Sequence, residues 1–441
     1  MPNIVVVGAQ WGDEGKGKIV DVLTPQVDVV IRYQGGNNAG HTVVVGRDKY
    51  VLHSIPSGIL HPGCRCVVGC GVVVDPSSLI DEMEALVRRG VQLDGNLFIS
   101  KNAHLIMPYH PALDLASEAK LGSRRIGTTG RGVGPAYVDK AARIGIRMGD
   151  LLNEQVFREK LEWNVAQKNR ILREIYDAPT FNVEDILSPY LRYAGWLAPY
   201  ITDTALLLSH WIDAGYSLMF EGAQGTMLDI DHGTYPYITS SSTTTGGACT
   251  GTGVPPTKIH GAVGVSKAYT TRVGSGPFPT EMQGAVEEQI RARGNEYGAT
   301  TGRPRRCGWF DSVVLRYAVR LNGLDTVALT KLDVLDQSET IKVCTAYRYQ
   351  GETITDFPQD DSVLRGAEPV YEEVSGWMSA TAGGRSEADL PAKAREYLAR
   401  LEELIGVPFS LISTGAIRND TIVCDGSPLL RWFPTVRASL L

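Results

Sequence analysis

Asn3-Ile4-Val5-Val6-Val7-Gly8-Ala9-Gln10-Trp11-Gly12-Asp13-Glu14-Gly15-Lys16-Gly17-Lys18 joins an unbroken apolar run to a glycine-rich turn with two lysines. Apolar residues at every position from Ile4 to Val7, not at alternate ones, predict a strand covered on both faces, as in a parallel sheet with helices on either side. The glycines of the turn leave backbone N–H groups accessible, and the short helix predicted near Lys18 to Leu23 adds its N-terminus, so together they form an anion cradle. Lys16 and Lys18 supply charge for phosphates.

The turn is related to a phosphate-binding P-loop but departs from it twice. Gly8 to Gly15 is two residues longer than G-x-x-x-x-G-K requires, and Gly17 stands where a Ser or Thr would hold Mg²⁺. Asp13, a carboxylate inside the loop, is then the candidate metal ligand. A second cluster, Gln34-Gly35-Gly36-Asn37-Asn38-Ala39-Gly40-His41, follows a strand predicted at Val27 to Tyr33. Loops at the carboxyl ends of parallel strands meet over one crevice. His41 and Asn38 are therefore expected opposite Asp13, a donor facing a base across a phosphate site.

Working outward, strand and helix patterns alternate. Thr42 to Val45 and Lys49 to His53 flank Gly46-Arg47-Asp48 as a hairpin. Pro76 opens a helix with Leu79, Met83, Leu86 and Val87 on one face and Gly90 as its stop. Leu161, Val165, Leu172 and Ile175 mark a long helix within Leu151 to Asp177, and Leu390, Ala394, Tyr397, Leu401 and Leu404 mark a late one. Further strands are expected at Leu218 to Glu221, Ala262 to Val265, Thr326 to Thr330 and Pro408 to Ile412. The expectation is one α/β domain over 1–441, with a large mainly parallel central sheet, a P-loop-like nucleotide site, flanking helices and insertions, and a helical excursion around 151–215.

Composition narrows the function. A net charge of −6 over 441 residues argues against a general nucleic-acid binder. With 43% hydrophobic and 21% charged residues, the chain is globular. Glycine is in excess, 48 residues against a usual ~7%. The start of the chain carries no signal-peptide pattern, no stretch approaches the ~20 apolar residues of a membrane span, and seven cysteines suit a reducing compartment, so a cytoplasmic protein is expected. Cys64, Cys66 and Cys70, near His61, could hold a metal. The spacing is not a standard knuckle, and the valine-rich surroundings favour a buried strand in which cysteine serves as a small hydrophobe.

Three more segments carry chemistry. In Thr330-Lys331-Leu332-Asp333, after a strand, the carboxylate can accept paired hydrogen bonds from guanine N1–H and its 2-amino group, a pair adenine lacks. The Lys331 stem can cover the base. Thr300-Thr301-Gly302-Arg303-Pro304-Arg305-Arg306 gathers three guanidinium groups suited to carboxylates, and its glycine points to a loop that closes on substrate. Gly127-Thr128-Thr129-Gly130-Arg131-Gly132, followed by Gly134 to Arg143, has the character of another anion site.

QWGDEGKGK, GGNNAGH, GVGPAYVDKAAR, FEGAQGTMLDIDHGTYPYITSS, TTGRPRRCGWFD, TKLD and ISTG, in that order and nearly end to end, closely resemble the adenylosuccinate synthetases of purine biosynthesis. The resemblance implies ligation of L-aspartate to IMP with GTP and Mg²⁺ through a 6-phosphoryl-IMP intermediate, in de novo and salvage AMP synthesis. It implies Asp13 as the base for the purine N1 proton, although an ordinary aspartate, with a pKa of about 3.9, is a weak one. His41 is implied as the donor to the oxygen being phosphorylated, and Asp13 and the Gly40 carbonyl as metal contacts. For GTP it implies Gly12, Gly15, Lys16, Gly17 and Lys18, then Gly40, His41 and Thr42, then Arg305, Lys331, Leu332 and Asp333. Ser413, Thr414 and Gly415 would form the other guanine wall, where Ala416 replaces the usual proline. For IMP it implies Asp13, Glu14, Gly15 and Lys16, then Asn38, Ala39, Gly40 and His41, and also Thr129, Gln224, Thr239 and Arg303. Arg143 would reach the IMP phosphate across a homodimer interface. Ala299, Thr300, Thr301, Gly302, Arg303, Pro304 and Arg305 would hold aspartate.

Two other readings compete. A nucleotide-controlled switch would need Ser or Thr where Gly17 stands, and an ATP-using kinase or ligase conflicts with Asp333 as a guanine reader.

Overall fold

In the computed structural model, which describes residues 2–46, 48–122, 125–298 and 302–440, the apolar runs assemble into a ten-stranded sheet. Its strands are β1 (Ile4–Gly8), β2 (Val29–Arg32), β3 (Arg65–Val68), β4 (Leu97–Ser100), β5 (Ile201–Thr202), β6 (Leu218–Glu221), β7 (Gly261–Lys267), β8 (Thr326–Thr330), β9 (Phe409–Ser413) and β10 (Thr421–Val423). They stand in the order β10-β9-β8-β7-β1-β6-β2-β3-β4-β5, and every neighbouring pair is parallel except β9 with β10.

The unbroken apolar pattern has the cause expected of it. Val5 and Val7 enter the core on one face of the sheet, Ile4 and Val6 the core on the other. At roughly 1.5–3 kcal/mol for each fully buried Val or Ile side chain, β1 anchors the turn that follows. That anchorage supports a left-handed turn: φ is 85° at Gly12 and 90° at Gly15, which glycine adopts freely, and 59° at Asp13, where it is costly.

Helix α1 (Lys16–Leu23) leaves the turn directly, and α2 (Pro76–Arg88) starts at Pro76 with Asp75 as its cap, accepting from the Ser77 and Ser78 N–H groups at 3.1 and 3.3 Å. The long middle helix runs over Glu154–Glu174, inside the expected span, and Asn153 caps it, accepting from the Val156 N–H at 3.2 Å. It pairs with a helix over Val183–Leu197, where Phe157 stacks on Tyr190. The hairpin forms between His41–Val45 and Asp48–Leu52, with Arg47 of its turn outside the described residues. β2 is shorter than Val27 to Tyr33 because the Val27 N–H closes a turn onto the Thr24 carbonyl.

The largest sheet without a counterpart in the sequence reading has four strands: Phe310–Asp311, Thr340–Tyr349, Glu352–Ile354 and Glu368–Ser375. A register shift between Cys344 and Ala346 breaks the alternation that would have marked its longest strand.

Cys66 is fully buried in β3, its Sγ 3.9 Å from the Pro56 carbonyl, while His61 is engaged with Asp21 at 2.8 Å. Cys64 is buried as well, and Cys70, past the strand, is half-buried. Cys66→Ser is expected to lower stability in urea by roughly 1–3 kcal/mol, the cost of a hydroxyl in an apolar core. Loss of stability on adding a chelator to the wild type would instead favour a metal.

Candidate functional site

Because β9, β8, β7, β1, β6 and β2 are parallel neighbours, the loops leaving their carboxyl ends lie side by side on one edge. Along that edge stand Ser413–Gly415, Lys331–Asp333, the phosphate loop, the Gly222–Gly225 turn and the Gln34–Gly40 turn. Ligands of open α/β sheets bind at such an edge.

The phosphate loop is stitched from inside. Glu14 is fully buried; its Oε1 accepts from the Gln10 and Gly12 N–H groups at 3.1 and 2.9 Å, and its Oε2 pairs with Lys16 Nζ at 2.5 Å. The Glu14 carbonyl takes the Thr330 hydroxyl at 2.5 Å. Glu14 can therefore face a ligand only through its N–H, and its carboxylate is a brace. Lys16 also donates to the Gln224 carbonyl. A Cβ on Gly17 would lie 3.0 Å from the Thr42 carbonyl oxygen and 3.3 Å from His41 Cβ. The hairpin thus fills the space where a P-loop hydroxyl would stand. Lys18 turns away from the cradle, donating to Ser413 Oγ at 2.6 Å and to the Gly415 and Asp420 carbonyls at 2.8 Å each. Burial lowers its ammonium to about 8, against the opposing charges of Asp420 and Asp333.

His41 is buried beside α1, its Nδ1 hydrogen-bonded to Glu221 Oε1. Glu221 also accepts the Ser57 N–H and hydroxyl at 2.8 and 2.9 Å and lies 3.6 Å from Arg32. Burial alone would raise the Glu221 carboxyl, but His41 and Arg32 outweigh it and hold it at about 2. Burial, then the Arg32 guanidinium, lowers the His41 pKa, so the pair rests as neutral imidazole and carboxylate. An ionised Glu221 only accepts, which assigns the proton to Nδ1 and leaves Nε2 as the nitrogen open to a ligand. Glu221, Arg32 and Ser57 were not singled out in the sequence. A charged residue ending an otherwise apolar strand, as Arg32 ends β2 and Glu221 ends β6, was the available signal.

Among the described residues no hydrogen bond or ion pair joins His41 to Asp13. Asp13 Oδ2 instead accepts from Arg305 Nε at 2.7 Å. Arg305 Nη1 donates in turn to Glu296 at 2.7 Å, and Glu296 pairs with Lys267 at 2.7 Å and takes the Tyr269 hydroxyl. Burial would raise the Glu296 carboxyl, yet Lys267 and Arg305 hold it down to about 2. This alternating chain, Lys267–Glu296–Arg305–Asp13, ends at the proposed base. Of the aspartate-loop residues, Ala299, Thr300 and Thr301 lie outside the described residues. Gly302, Arg303 and Pro304 are exposed beside them, with the Arg303 carbonyl accepting the Gly298 N–H at 2.8 Å.

At the other end of the edge Lys331 takes φ 63° and donates to the Gly294 carbonyl at 2.7 Å, while Leu332 is buried beneath. Asp333 Oδ1 is buried without a hydrogen-bond partner, as is Thr414 Oγ1. Burial raises the Asp333 carboxyl, with Lys331 opposing. A partnerless buried carboxylate oxygen is uncommon in a folded protein and marks a place for a donor.

Asn38 and Gln224 meet: Gln224 Nε2 donates to Asn38 Oδ1 at 3.4 Å, and Gln34 Nε2 donates to Gln224 Oε1 at 3.1 Å. The Ala39 carbonyl accepts from His53 Nδ1 at 2.7 Å, next to Gly40. Thr239 is half-buried, its hydroxyl 3.1 Å from that of Ser241. Thr129 and Arg143 are both exposed, the latter at the end of the helix Val133–Ala142. Among the described residues no hydrogen bond or ion pair joins either of them to the phosphate loop.

Sequence and structure comparisons identify the family that has this fold. A sequence model of the family described as adenylosuccinate synthetase matches residues 5–422. Adenylosuccinate synthetase of Geobacter sulfurreducens is 58% identical over 424 residues, 96% of this chain and 98% of the relative. That of Thermodesulfovibrio yellowstonii is 54% identical over 429 residues, 97% and 100% of the two chains. The structure of fully ligated adenylosuccinate synthetase from Plasmodium falciparum superposes with a TM-score of 0.91 at 38% identity, covering 96% of this chain and all of that one. Succinoaminodeoxyadenylate synthetase of cyanophage S-2L, 20% identical with a TM-score of 0.58 over the full length of both chains, shares the fold alone. From β1 to β10 sequence and architecture are thus those of one group of enzymes, and the chain belongs to the adenylosuccinate synthetase family, the ligases that join L-aspartate to IMP with GTP.

Proposed function

We propose that this chain carries out its family's reaction with Asp13 as base and His41 as phosphate-facing donor. In the first step the Asp13 carboxylate takes the N1 proton of IMP while O6 attacks the γ-phosphorus of GTP. The O6–P bond forms as the bond to the bridging oxygen of GDP breaks, giving 6-phosphoryl-IMP and GDP. In the second step the aspartate amine attacks C6, phosphate leaves with O6, and the amine gives up its proton. Glu221 fixes Nδ1 of His41, and the charge of a bound triphosphate favours the imidazolium, so that Nε2–H can donate to the phosphoryl group in transfer.

The donor set fits Mg²⁺. Asp13 and the Gly40 carbonyl offer hard oxygens on the loops after β1 and β2. Among the described residues no group of three or more His, Cys, Asp or Glu could hold a metal without help, so nucleotide phosphates would complete the coordination, a habit of Mg²⁺. The ion would neutralise phosphate charge during transfer. Asp333 would read guanine, with Lys331 over the base. The glycines and Lys16 would face the phosphates. Asn38, Gln224, Thr129 and Thr239 would surround IMP, with Arg303 near its ribose, and the 299–305 loop would hold aspartate.

What supports this reading is the order along one edge: an unpaired carboxylate oxygen at one end, the anion cradle in the middle, and the Asn38–Gln224 pair at the other. Incubation with Mg²⁺, GTP and IMP, with and without L-aspartate, tests it. Adenylosuccinate is expected only when aspartate is present; GTP hydrolysis indifferent to IMP and aspartate would point to a switch instead.

The same reading makes the active form a homodimer. Val138 lies on the helix that ends at Arg143 and is 63% exposed, an apolar side chain suited to contact with a second copy. Mixing inactive Asp13→Ala and Arg143→Ala chains is expected to restore about a quarter of wild-type activity, since half of randomly paired dimers are hybrids with one intact site of two. Hybrids that form but stay inactive would mean that Arg143 acts within its own subunit. All seven cysteines are free, which supports a cytoplasmic location, and no described helix is long and apolar enough to cross a membrane.

A further inference from the structure

We propose that Lys18 is a positioning residue for the guanine wall, which it holds to α1 together with the Asp21–Arg418 pair, and that it does not contact the nucleotide phosphates. This rests on the guanine reading of the Asp333 pocket. An ammonium has three N–H donors and no acceptor. All three of Lys18 are used on one loop, by Ser413 Oγ, the Gly415 carbonyl and the Asp420 carbonyl, at 2.6 to 2.8 Å. A cation in a P-loop-like sequence is thus spent on the segment that closes the base pocket, and none of its hydrogen bonds is left for an anion.

The held segment is fixed partly within itself and partly from outside, where Arg385 donates to the Asn419 carbonyl. Residues 414–420 form a turn closed by the Thr414 N–H on the Asp420 carbonyl at 3.0 Å and the Asp420 N–H on the Ile417 carbonyl at 3.1 Å. The turn directs the Gly415 and Asp420 carbonyls toward Lys18, which meets both, and the Ser413 hydroxyl also donates to the Gly415 carbonyl at 3.0 Å. A Cβ on Gly415 would lie 2.3 Å from Asp420 Oδ2, so the two arms of the turn are in contact. On the outside, Arg418 makes two bonds to Asp21 of α1, at 2.9 and 2.7 Å, and Asp21 is itself held by His61. One helix therefore presents its N-terminus to the phosphates and ties the base wall by its side chains. Thr414 belongs to this wall and Asp333 follows the neighbouring strand β8, and each keeps a buried oxygen without a hydrogen-bond partner, so displacement of the wall is expected to blur base selection before it weakens phosphate binding.

The experiment compares wild type, Lys18→Met and Arg418→Ala as full-length enzymes. It reads kcat/KM for GTP and ITP, which lacks the 2-amino group, and inhibition by inorganic tripolyphosphate, which probes the cradle alone. In Lys18→Met the preference for GTP over ITP is expected to fall about tenfold, the effect of one lost charge-assisted hydrogen bond, with tripolyphosphate inhibition within about twofold of wild type. Arg418→Ala is expected to shift the preference in the same direction by less. Weaker tripolyphosphate inhibition at unchanged GTP:ITP preference would overturn the proposal, because Lys18 would then serve phosphate. An unchanged preference in both variants would overturn it too. If Lys18→Met fails to fold, Arg418→Ala decides: the same shift supports the brace and its absence refutes it. Equal use of ATP and GTP by the wild type would instead refute the guanine pocket, leaving the hydrogen bonds of Lys18 without that purpose.

Discussion

Asp13→Asn is expected to lower kcat by about 10²–10⁴-fold with all three substrates saturating, the usual range for loss of a general base. The substitution isolates the chemistry. Asparagine tolerates the φ of 59° found at this position, where most side chains would strain the turn. Its carbonyl oxygen can still accept from Arg305 Nε, so the link to Glu296 and Lys267 survives. The capacity to take a proton is lost, together with the negative charge offered to Mg²⁺ and Arg305, so at saturating Mg²⁺ KM for GTP and IMP should change less than kcat. Near-normal turnover would remove Asp13 from the role of base and direct the search to another group near N1.

Asp333→Asn is the second change of large expected effect. Guanine offers N1–H and a 2-amino group, two donors for one carboxylate; xanthine keeps N1–H but carries a carbonyl oxygen at position 2. An asparagine amide can accept from N1–H and donate to that oxygen. With GTP the variant opposes its own N–H to the 2-amino group in a half-buried site, so kcat/KM for GTP should fall by about 10²-fold or more. With XTP activity should return, and ATP should stay a poor donor. Unchanged use of GTP would mean that the unpaired Oδ1 does not read the base.

Part of this site was legible in the sequence, and for physical reasons. Ile4 to Val7 could be read because a strand buried on both faces has no polar position to confuse the pattern. The phosphate loop could be read because glycines at fixed offsets after a strand have few other uses. Side-chain direction was not legible. Lys16 and Lys18 are alike in sequence, yet one is turned onto Glu14 and the other onto the base wall, a choice set by residues some 400 positions away. Glu14 was implied only as an IMP contact, and its carboxylate is the buried brace of its own loop. Arg32, Glu221 and Lys267, each the last residue of a buried strand, passed unnoticed because the meaning of a charge at a strand end depends on which loops gather there. Gly17 was visible as a departure from the P-loop, but its cause, the Thr42 carbonyl, needed the hairpin in three dimensions.

The order of strands also has a metric consequence. Neighbouring strands stand about 4.8 Å apart, a spacing their hydrogen bonds do not let them stretch. β8 and β2 each lie two strands from β1, on opposite sides. The base-reading loop and the Gln34–Gly40 turn are thus each about 10 Å from the phosphate loop. On the proposed reading the edge is a ruler with its zero mark at β1, donor measured to one side and acceptor to the other. A nucleotide one phosphate short still registers at its base end but leaves the zero mark unfilled, so GDP should occupy the site without serving it. Any closure on substrates must come from the loops, because the scale beneath them is rigid.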